Sequence, residues 1–446
     1  MKDLNNKETP NIIFIVIDAL RPKNLSMYDY KKETDKNLKK IAKENLFFKD
    51  FYSASNSTAP SLNSIFTGLY PPNHGILHQF PYTSDEEIDN MDKQVKFWLP
   101  SYLKEKGYET MAVDWIGLWF KKGFDYYEEK ETKKGKSFLN TPIIKKILLN
   151  LPAWAYKLGK KMIKTRSSEQ FSPAIDTANL GISKIKEAKK PFFLFMHFWD
   201  THFPYPTTKY KAREDESDIE ETLKKIKENN QKEYFKKRAA DINLNSTKDM
   251  ENKYDTAIKN IDSAVGKIYS FLKNEKMLDN TIIVIQGDHG DSVNEHGIFF
   301  EHSGLYDVSI HVPLIVHIPG VQPKEVRGLA ENVDVIPTIL EFLKDNPGVD
   351  FDGRSLWPLI NGGEKVRDKI LSWDGLSHEI RSIRTENRKL IIAKDPTCHL
   401  CKSRHHQDKE EYDLENDKDE LNNVYSGESD LEKNDVTFIK NKDNSI

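Results

Sequence analysis

The sequence has few of the features that identify a protein class at once. It contains two cysteines in 446 residues, Cys398 and Cys401, which excludes a disulfide framework and is compatible with a reducing compartment. Its formal net charge is −3, from 67 basic and 70 acidic residues, so no excess of positive charge favours nucleic acid as a partner. We therefore expect a cytoplasmic protein that binds no nucleic acid.

Long hydrophobic runs are also missing. No stretch approaches the ~20 apolar residues of a membrane-spanning helix. The apolar segment 11–17 is followed by Asp18 and Arg21 and not by a small-residue cleavage site, which predicts a buried strand and not a signal peptide. The basic segment 143–165 interleaves Leu, Trp and Tyr with lysines. We interpret it as a helical lid or packing insertion, with peripheral contact to an anionic membrane as the alternative.

The sequence does contain short apolar runs separated by segments with helical spacing. The runs cover residues 11–18, 108–115, 191–200, 281–290 and 312–320. Continuous apolar runs are typical of strands buried on both faces, as in a parallel sheet covered by helices. The helical segments cover residues 34–45, 61–70, 93–107, 254–274 and 334–344. The pattern predicts the α/β class.

Composition predicts two units of unequal size. We expect a large α/β domain at 8–364 and a small C-terminal subdomain at 365–446, where short β-like runs replace the longer ones. Insertions are expected near 120–170 and 207–253. The second insertion is highly charged, which predicts a solvated helical segment or a mobile lid.

Three of the predicted strands end in side chains that bind metals. These are Asp18 after the first, His197, Asp200 and His202 around the end of the third, and Asp288 with His289 after the fourth. Functional groups collect at the carboxyl ends of strands in open α/β sheets. Carboxylates together with imidazole fit Zn or Mn, whereas an all-oxygen shell favours Ca or Mg. A nearby Ser or Thr hydroxyl could bind the metal and become a nucleophile.

Seven motifs along the chain resemble those of one family. They are NIIFIVIDALRP, TAPSLNSIFTGLYPPNHG, FLFMHFWDTHFPY, GDHGDSVNEHGIFFEHSGLYDVSIHVPLIVHIPG, VDVIPTIL, FDGRSLWPLI and EEYDLENDKDELNNV. Their order and spacing resemble sulfatases of the alkaline phosphatase superfamily over nearly the whole chain apart from the two insertions. The resemblance implies a three-layer α/β sandwich with a large mixed, mostly parallel sheet and a small C-terminal antiparallel sheet.

The resemblance places the nucleophile at Thr58. Sulfatases carry Cys or Ser there, which is oxidised to formylglycine, and the extra methyl of threonine would not yield that aldehyde. Leu62 also replaces the Arg of the signature, and using the adjacent Ser57 would break the spacing to Pro60. Superfamily members that act on phosphate esters commonly use an unmodified Thr or Ser. We therefore favour phosphate mono- or diesters over sulfate esters as substrates.

The metal shell implied by the resemblance consists of Asp18, Thr58, Asp288 and His289. It is similar to the single-metal site of phosphonate monoester hydrolases and phosphoethanolamine transferases, so one Mn or Zn ion is favoured, with Ca or Mg as alternatives. Ala19 stands where sulfatases usually carry a second Asp. A second metal ion stays open, with Asp200, His202 and His302 as its ligands.

The resemblance assigns roles to four further residues. His302 is expected to stabilise charge on the transferring group and His202 to protonate the leaving oxygen, which makes both catalytic. His197 and Arg21 are expected to contact the substrate. For Arg21, a salt bridge within its loop is an equal alternative.

Several alternatives stay open. The chain could be a sulfuric ester hydrolase, a phospholipid head-group phosphotransferase resting on the bilayer through 143–165, or a non-catalytic scaffold. The segment CHLCKSRHH at 398–406 is interpreted as a polar hairpin, with a structural zinc site as the alternative. The sequence leaves the oligomeric state open.

Overall fold

A computed structural model of the protein describes residues 9–128, 173–189, 191–205, 218–241, 244 and 246–433. The segment 143–165 lies outside these residues, so its two interpretations stay predictions. The described residues form the strands β1 Asn11–Ile17, β2 Leu46–Phe48, β3 Phe51–Tyr52, β4 Glu109–Val113, β5 Tyr126–Glu128, β6 Phe192–Phe198, β7 Thr281–Gly287, β8 Leu314–His317, β9 Lys324–Val326, β10 Ala330–Glu331, β11 Ile370–Trp373, β12 His378–Arg384, β13 Arg388–Asp395 and β14 Lys409–Asp413.

The α-helices lie mostly between these strands. Within the described ranges they are Lys36–Lys43, Thr58–Thr67, Pro71–His74, Asp85–Gln94, Leu99–Glu105, Ala174–Glu187, Ile219–Lys225, Asn229–Asp241, Thr247–Asn274, Asp307–Ile310, Val335–Leu343 and Trp357–Ile360. None of the described helices is both long and apolar enough to cross a bilayer.

The large sheet has the strand order β5-β4-β6-β1-β7-β8-β2-β9. All neighbouring pairs are parallel except the two that involve β8, which runs antiparallel to both β7 and β2. The sheet is therefore mixed and mostly parallel. Its two central pairs, β1 with β6 and β1 with β7, bring three carboxyl strand ends side by side at one edge.

Both faces of the large sheet are covered, which explains why its central strands are apolar without alternation. All seven residues of β1 are buried. Ile13, Ile15 and Ile17 pack into a core shared with the helices Ala174–Glu187 and Thr247–Asn274. The intervening residues Ile12, Phe14 and Val16 pack into the opposite core, which includes side chains of the helices Thr58–Thr67, Leu99–Glu105 and Val335–Leu343. The predicted three-layer α/β sandwich is confirmed.

The small sheet is antiparallel, with the order β11-β12-β13-β14, as predicted. Its backbone joins the large domain where Trp373 N–H donates to Ala54 O over 2.9 Å. Lys389, which is fully buried, pairs with Asp307 at 2.9 Å and with Glu420 at 2.7 Å. These buried ion pairs hold the small sheet against the helix Asp307–Ile310. The domain boundary at 365 stays a prediction.

Three helices differ from the predicted bounds. The helix predicted at 61–70 spans Thr58–Thr67, so it begins and ends three residues earlier. The helix predicted at 93–107 is divided, because one helix ends at Gln94 and the next begins at Leu99 with Pro100 in its first turn. The helix predicted at 254–274 begins earlier, at Thr247, inside the predicted charged insertion. Ser246 caps it by accepting a hydrogen bond from Asp249 N–H over 3.1 Å.

Gly68 ends the helix that carries Thr58, with a φ of +68°. A Cβ at this position would lie 2.7 Å from Cδ1 of Phe351. We expect Gly68→Ala to lower the free energy of unfolding by roughly 2 to 4 kcal/mol, from the left-handed backbone and the steric clash together. Chemical denaturation measures this change.

Gly107→Ala is the matched control. Gly107 has a φ of +87°, and no atom lies within 4 Å of the point that a Cβ would occupy, so only the backbone cost of about 1 kcal/mol remains. Equal destabilisation by the two substitutions would contradict the packing argument.

Candidate functional site

The carboxyl ends of β1 and β7 bring three buried side chains together. Asp18 follows β1, and Asp288 and His289 follow β7. One ligand atom from each of these side chains lies within 4.8 Å of those of the other two. Each of the three residues is less than 1% exposed. We call Asp18, Asp288 and His289 the strand-end cluster.

Thr58 lies against this cluster as the first residue of its helix. Its Oγ1 donates to Asp18 Oδ2 over 3.1 Å and lies 3.2 Å from His289 Nε2. His289 Nδ1 lies 2.7 Å from Gly290 O, so this nitrogen carries the proton and Nε2 turns a lone pair towards the cluster. The hydroxyl of Thr58 thus contacts a carboxylate and an imidazole, two kinds of group that can bind cations.

Two carboxylate oxygen atoms of the strand-end cluster accept no hydrogen bond from the described residues. Asp288 Oδ1 accepts backbone N–H groups from Ala19 at 3.0 Å and from His289 at 2.7 Å. Among the described residues, Asp288 Oδ2 and Asp18 Oδ1 are buried without a hydrogen-bond partner. Burial and the charge of Asp288 raise the pKa of Asp18 well above its ordinary value. Two buried carboxylates and an imidazole lone pair form a donor set that fits a divalent cation.

His197 approaches the cluster from β6, the neighbour of β1 on its other side. Its Nε2 lies 3.8 Å from Asp18 Oδ2, and its Nδ1 lies 3.1 Å from Asp114 Oδ1. Asp114 also accepts hydrogen bonds from Trp199 Nε1 at 3.3 Å and from Tyr127 OH at 2.5 Å. Asp114 therefore orients His197. Asp114 lies inside the strand predicted at 108–115 and was not among the predicted site residues, whereas in the structure β4 ends at Val113 and Asp114 follows it.

His302 and His202 also lie near His289. The His302 ring centroid is 4.3 Å from that of His289, and its Nδ1 lies 2.6 Å from Asn56 O. His202 Nδ1 lies 2.6 Å from Phe203 O. Burial, together with neighbouring positive groups, lowers the pKa of His302 well below its ordinary value and that of His202 to about 4. Both imidazoles are neutral at pH 7, so acid catalysis by His202 requires a bound anion that favours its protonated form.

Arg21 is engaged in contacts within its own region of the fold. Its guanidinium is 3% exposed and pairs with Glu295 Oε2 at 2.9 Å. It also donates to Asn24 Oδ1 at 2.7 Å and to Asp291 O at 3.0 Å. The salt bridge joins Arg21 to a different loop and not to its own loop, and both interpretations of Arg21 stay predictions.

A second cation, Arg238, was missed by the sequence analysis. It lies in the helix Asn229–Asp241 of the charged insertion, with Cζ 3.9 Å from the ring centroid of Phe203. Its Nε donates to Tyr234 OH over 2.8 Å. Its charge contributes to the lowered pKa values of His202 and His302. The insertion contained so many charged residues that spacing alone could not single this one out.

Comparisons with known proteins identify the family. A model of the family described as Sulfatase matches residues 10–345, which is three quarters of the chain and includes the strand-end cluster and Thr58. The chain belongs to the sulfatase family. A second model, described as N-sulphoglucosamine sulphohydrolase, C-terminal, matches residues 294–440 of this sulfatase-family chain.

Three similar proteins illustrate the range of the match. An arylsulfatase from Clostridium perfringens is 24% identical, over 96% of this chain and 92% of its own. The structure of a phosphonate monoester hydrolase from Agrobacterium radiobacter has a TM-score of 0.64 at 18% identity, covering 97% of this chain and 94% of its own. A structure determined with its substrate D-glucosamine-2-N,6-O-disulfate has a TM-score of 0.63 at 20% identity, covering 98% and 97%. The two structures support the alkaline phosphatase-like fold.

Asp288→Asn tests whether the strand-end cluster binds a cation. Asparagine can keep Oδ1 as acceptor for Ala19 and His289 N–H, while an amide group replaces the unpartnered Oδ2. We expect Mn²⁺ affinity, measured by calorimetry, to fall at least ~10-fold, because one charged ligand is lost.

Asp92→Asn serves as the control, since Asp92 is 56% exposed and pairs only with Lys122 among the described residues. Mn²⁺ binding that is equally strong in the wild type and in Asp288→Asn would show that the cluster holds no ion.

Proposed function

We propose that this sulfatase-family protein hydrolyses a small-molecule sulfate ester, with Thr58 as the nucleophile. One observation carries the proposal: Thr58 Oγ1 lies within 3.2 Å of both Asp18 Oδ2 and His289 Nε2, inside a buried donor set. The proposal adopts the sulfate-ester alternative of the sequence analysis. Family membership and the sulfatase names of the relatives support that alternative better than the phosphate-ester preference.

We also propose that Asp18, Asp288, His289 and Thr58 hold one divalent cation, with Mn or Zn favoured. Such an ion would supply charge compensation for the carboxylates and would lower the pKa of the Thr58 hydroxyl. The unpartnered oxygen atoms of Asp18 and Asp288 support this assignment. Ca or Mg is the alternative if the carboxylates dominate the shell.

The chain's own residues account for the proton movements. The Thr58 proton leaves along the hydrogen bond to Asp18 Oδ2, and Oγ1 attacks the sulfur atom while the ester S–O bond breaks. Protonated His202 then gives its proton to the leaving oxygen. In the second step a water molecule attacks sulfur and its proton passes to His202. The Thr58 Oγ1–S bond breaks, and Thr58 regains its proton from Asp18.

Arg238 supports anion binding in this scheme. Its guanidinium stacks on Phe203, the neighbour of His202, and donates to Tyr234 OH. We propose that Arg238 contacts the sulfate group or favours the imidazolium form of His202 by attracting the anion. Arg238 would thereby supply the positive charge that is absent at position 62, where the sulfatase signature has Arg and this chain has Leu62.

Hydrolysis of a phosphate mono- or diester is the second candidate. Thr58 itself favours it, because threonine cannot be converted to the formylglycine aldehyde and an unmodified hydroxyl is a competent nucleophile towards phosphorus. The phosphotransferase and non-catalytic alternatives stay predictions. Cytoplasmic localisation also stays a proposal, which the two free thiols of Cys398 and Cys401 support.

Thr58→Val and Thr58→Ser test the nucleophile. Valine keeps the shape of threonine and removes the hydroxyl, so we expect turnover to fall at least ~10³-fold. Serine keeps the hydroxyl and should retain most of the activity. Both variants are assayed with aryl sulfate, phosphate, phosphodiester and phosphonate esters in the presence of Mn²⁺, Zn²⁺, Ca²⁺ or Mg²⁺.

The substrate panel separates the two candidates. Preferential cleavage of aryl sulfate supports the sulfatase proposal, whereas cleavage of phosphoesters alone replaces it with the second candidate. If Thr58→Val retains wild-type turnover, the proposed nucleophile is wrong.

Arg238→Met tests the anion contact. Methionine retains much of the apolar stem and removes the charge, so we expect kcat/KM to fall ~10- to 100-fold, the loss of a charge-assisted contact. Lys237→Met is the matched control, because Lys237 is exposed on the same helix. Equal kcat/KM values for the two variants would show that Arg238 does not contribute to binding of the substrate anion.

A further inference from the structure

A second group of metal-binding side chains lies apart in sequence from the strand-end cluster. It consists of Glu301, Cys398, Cys401 and His405, and one ligand atom of each lies within 4.8 Å of those of the other three. Glu301 is 2% exposed and the two cysteines at most 4%. The His405 side chain is 4% exposed. We call these four residues the Cys-His-Glu group.

The spacing of these atoms matches a tetrahedral ion. Zinc–ligand distances of about 2.0 to 2.3 Å require ligand atoms about 3.3 to 3.8 Å apart. Cys398 Sγ lies 3.7 Å from Glu301 Oε1, and His405 Nε2 lies 3.3 Å from the same oxygen. Cys401 Sγ lies 3.0 Å from His405 Nε2. These three distances lie within about half an ångström of the tetrahedral values, and the remaining pairs of ligand atoms lie within 4.8 Å of one another.

Of the three histidines in the segment 398–406, His405 belongs to the Cys-His-Glu group. His405 joins the group, whereas His406 Nδ1 lies 3.0 Å from Glu410 and His399 stacks on His78 with ring centroids 5.8 Å apart. Cys398 N–H donates to Ser403 O at 3.0 Å, and Lys402 N–H donates to Cys398 O at 2.9 Å. This tight turn brings both cysteines to the same side as His405.

Two polar groups besides those of the Cys-His-Glu group contact the sulfur atom of Cys398. Leu400 N–H donates to its Sγ over 3.3 Å, and Ser303 Oγ lies 3.0 Å from the same sulfur atom. Among the described residues, Glu301 Oε2 is buried without a hydrogen-bond partner. A buried carboxylate oxygen without a hydrogen-bond partner beside two buried sulfur atoms is an arrangement that a bound cation would stabilise.

We propose that Glu301, Cys398, Cys401 and His405 bind a structural zinc ion. Thiolate and imidazole ligands select zinc over Mg or Ca, and four protein ligands leave no open position for a substrate. Binding releases the two thiol protons to solvent. The ion would link the hairpin at 398–406 to Glu301, which directly precedes His302 in the chain. It would thereby fix the position of His302.

The test uses cobalt, because Co²⁺ bound to thiolates absorbs in the near ultraviolet by sulfur-to-metal charge transfer. The strand-end cluster contains no sulfur, so the band reports only the Cys-His-Glu group. Full-length protein is purified under reducing conditions, stripped of metal and titrated with Co²⁺. We expect one equivalent to produce the band and Zn²⁺ to abolish it by displacement.

Variants distinguish this site from the strand-end cluster. Cys401→Ser should lose the band and retain Mn²⁺ binding at Asp18, Asp288 and His289, whereas Asp288→Asn should retain the band. Glu301→Gln should weaken Co²⁺ binding ~10- to 100-fold. If Cys401→Ser does not fold, the wild type and Asp288→Asn still decide, because the band does not depend on turnover.

Two results would overturn the zinc proposal. One is the absence of a charge-transfer band in folded protein whose two thiols are shown to be free by titration. The other is a Cys398–Cys401 disulfide that forms in the purified protein and persists when zinc is supplied. Neither result bears on ester hydrolysis at Thr58, which the substrate panel tests separately.

Discussion

The burial of two carboxylates side by side is the constraint on which the rest of the structure depends. Asp18 and Asp288 end adjacent parallel strands, and one oxygen of each is buried without a partner among the described residues. Such an arrangement is unfavourable alone, because burial and mutual repulsion both oppose ionisation. It becomes favourable when a cation binds between the carboxylates. The central strands hold the side chains of Asp18 and Asp288 in place despite this cost, because both faces of the sheet are packed against other parts of the fold.

The hydroxyl-rich segment 53–67 shows how the fold supports this constraint. Ser61 Oγ donates to the backbone O of Asp288 over 2.7 Å, and Asn332 Nδ2 donates to Ser61 Oγ over 3.1 Å. Ser53 Oγ lies 3.1 Å from Ser61 Oγ. These hydrogen bonds satisfy polar groups in a fully buried helix and fix it to the end of β7. Thr58 differs from Ser53 and Ser61 because its hydroxyl donates to a carboxylate, whereas theirs donate to backbone oxygen atoms.

The sequence predicted the central strands and the small C-terminal sheet, and it did not predict the direction of β8 or the roles of Asp114 and Arg238. The apolar runs of β1, β6 and β7 are long and bounded by polar residues, so their burial and the convergence of Asp18, Asp288 and His289 followed from elementary sheet geometry. The antiparallel direction of β8 did not follow, because an apolar run carries no information about strand direction. Asp114 was included in the run predicted as a strand at 108–115, although it follows β4 as Asp18 follows β1. Arg238 lies in a charged helix, where no local pattern distinguishes it from an ordinary surface residue.

One loop connects the two groups of metal-binding side chains. The loop begins with Asp288 and His289 at the end of β7 and reaches Glu301 and His302. Two backbone hydrogen bonds pair its two ends: Ser292 N–H donates to Glu301 O at 3.0 Å, and Glu301 N–H donates to Ser292 O at 3.3 Å. His302 then lies against His289, with ring centroids 4.3 Å apart, while Glu301 turns towards the hairpin. Successive residues in this extended pairing point to opposite sides. A cation bound by Glu301 would therefore fix the backbone that holds His302 at the reaction site, without itself entering that site.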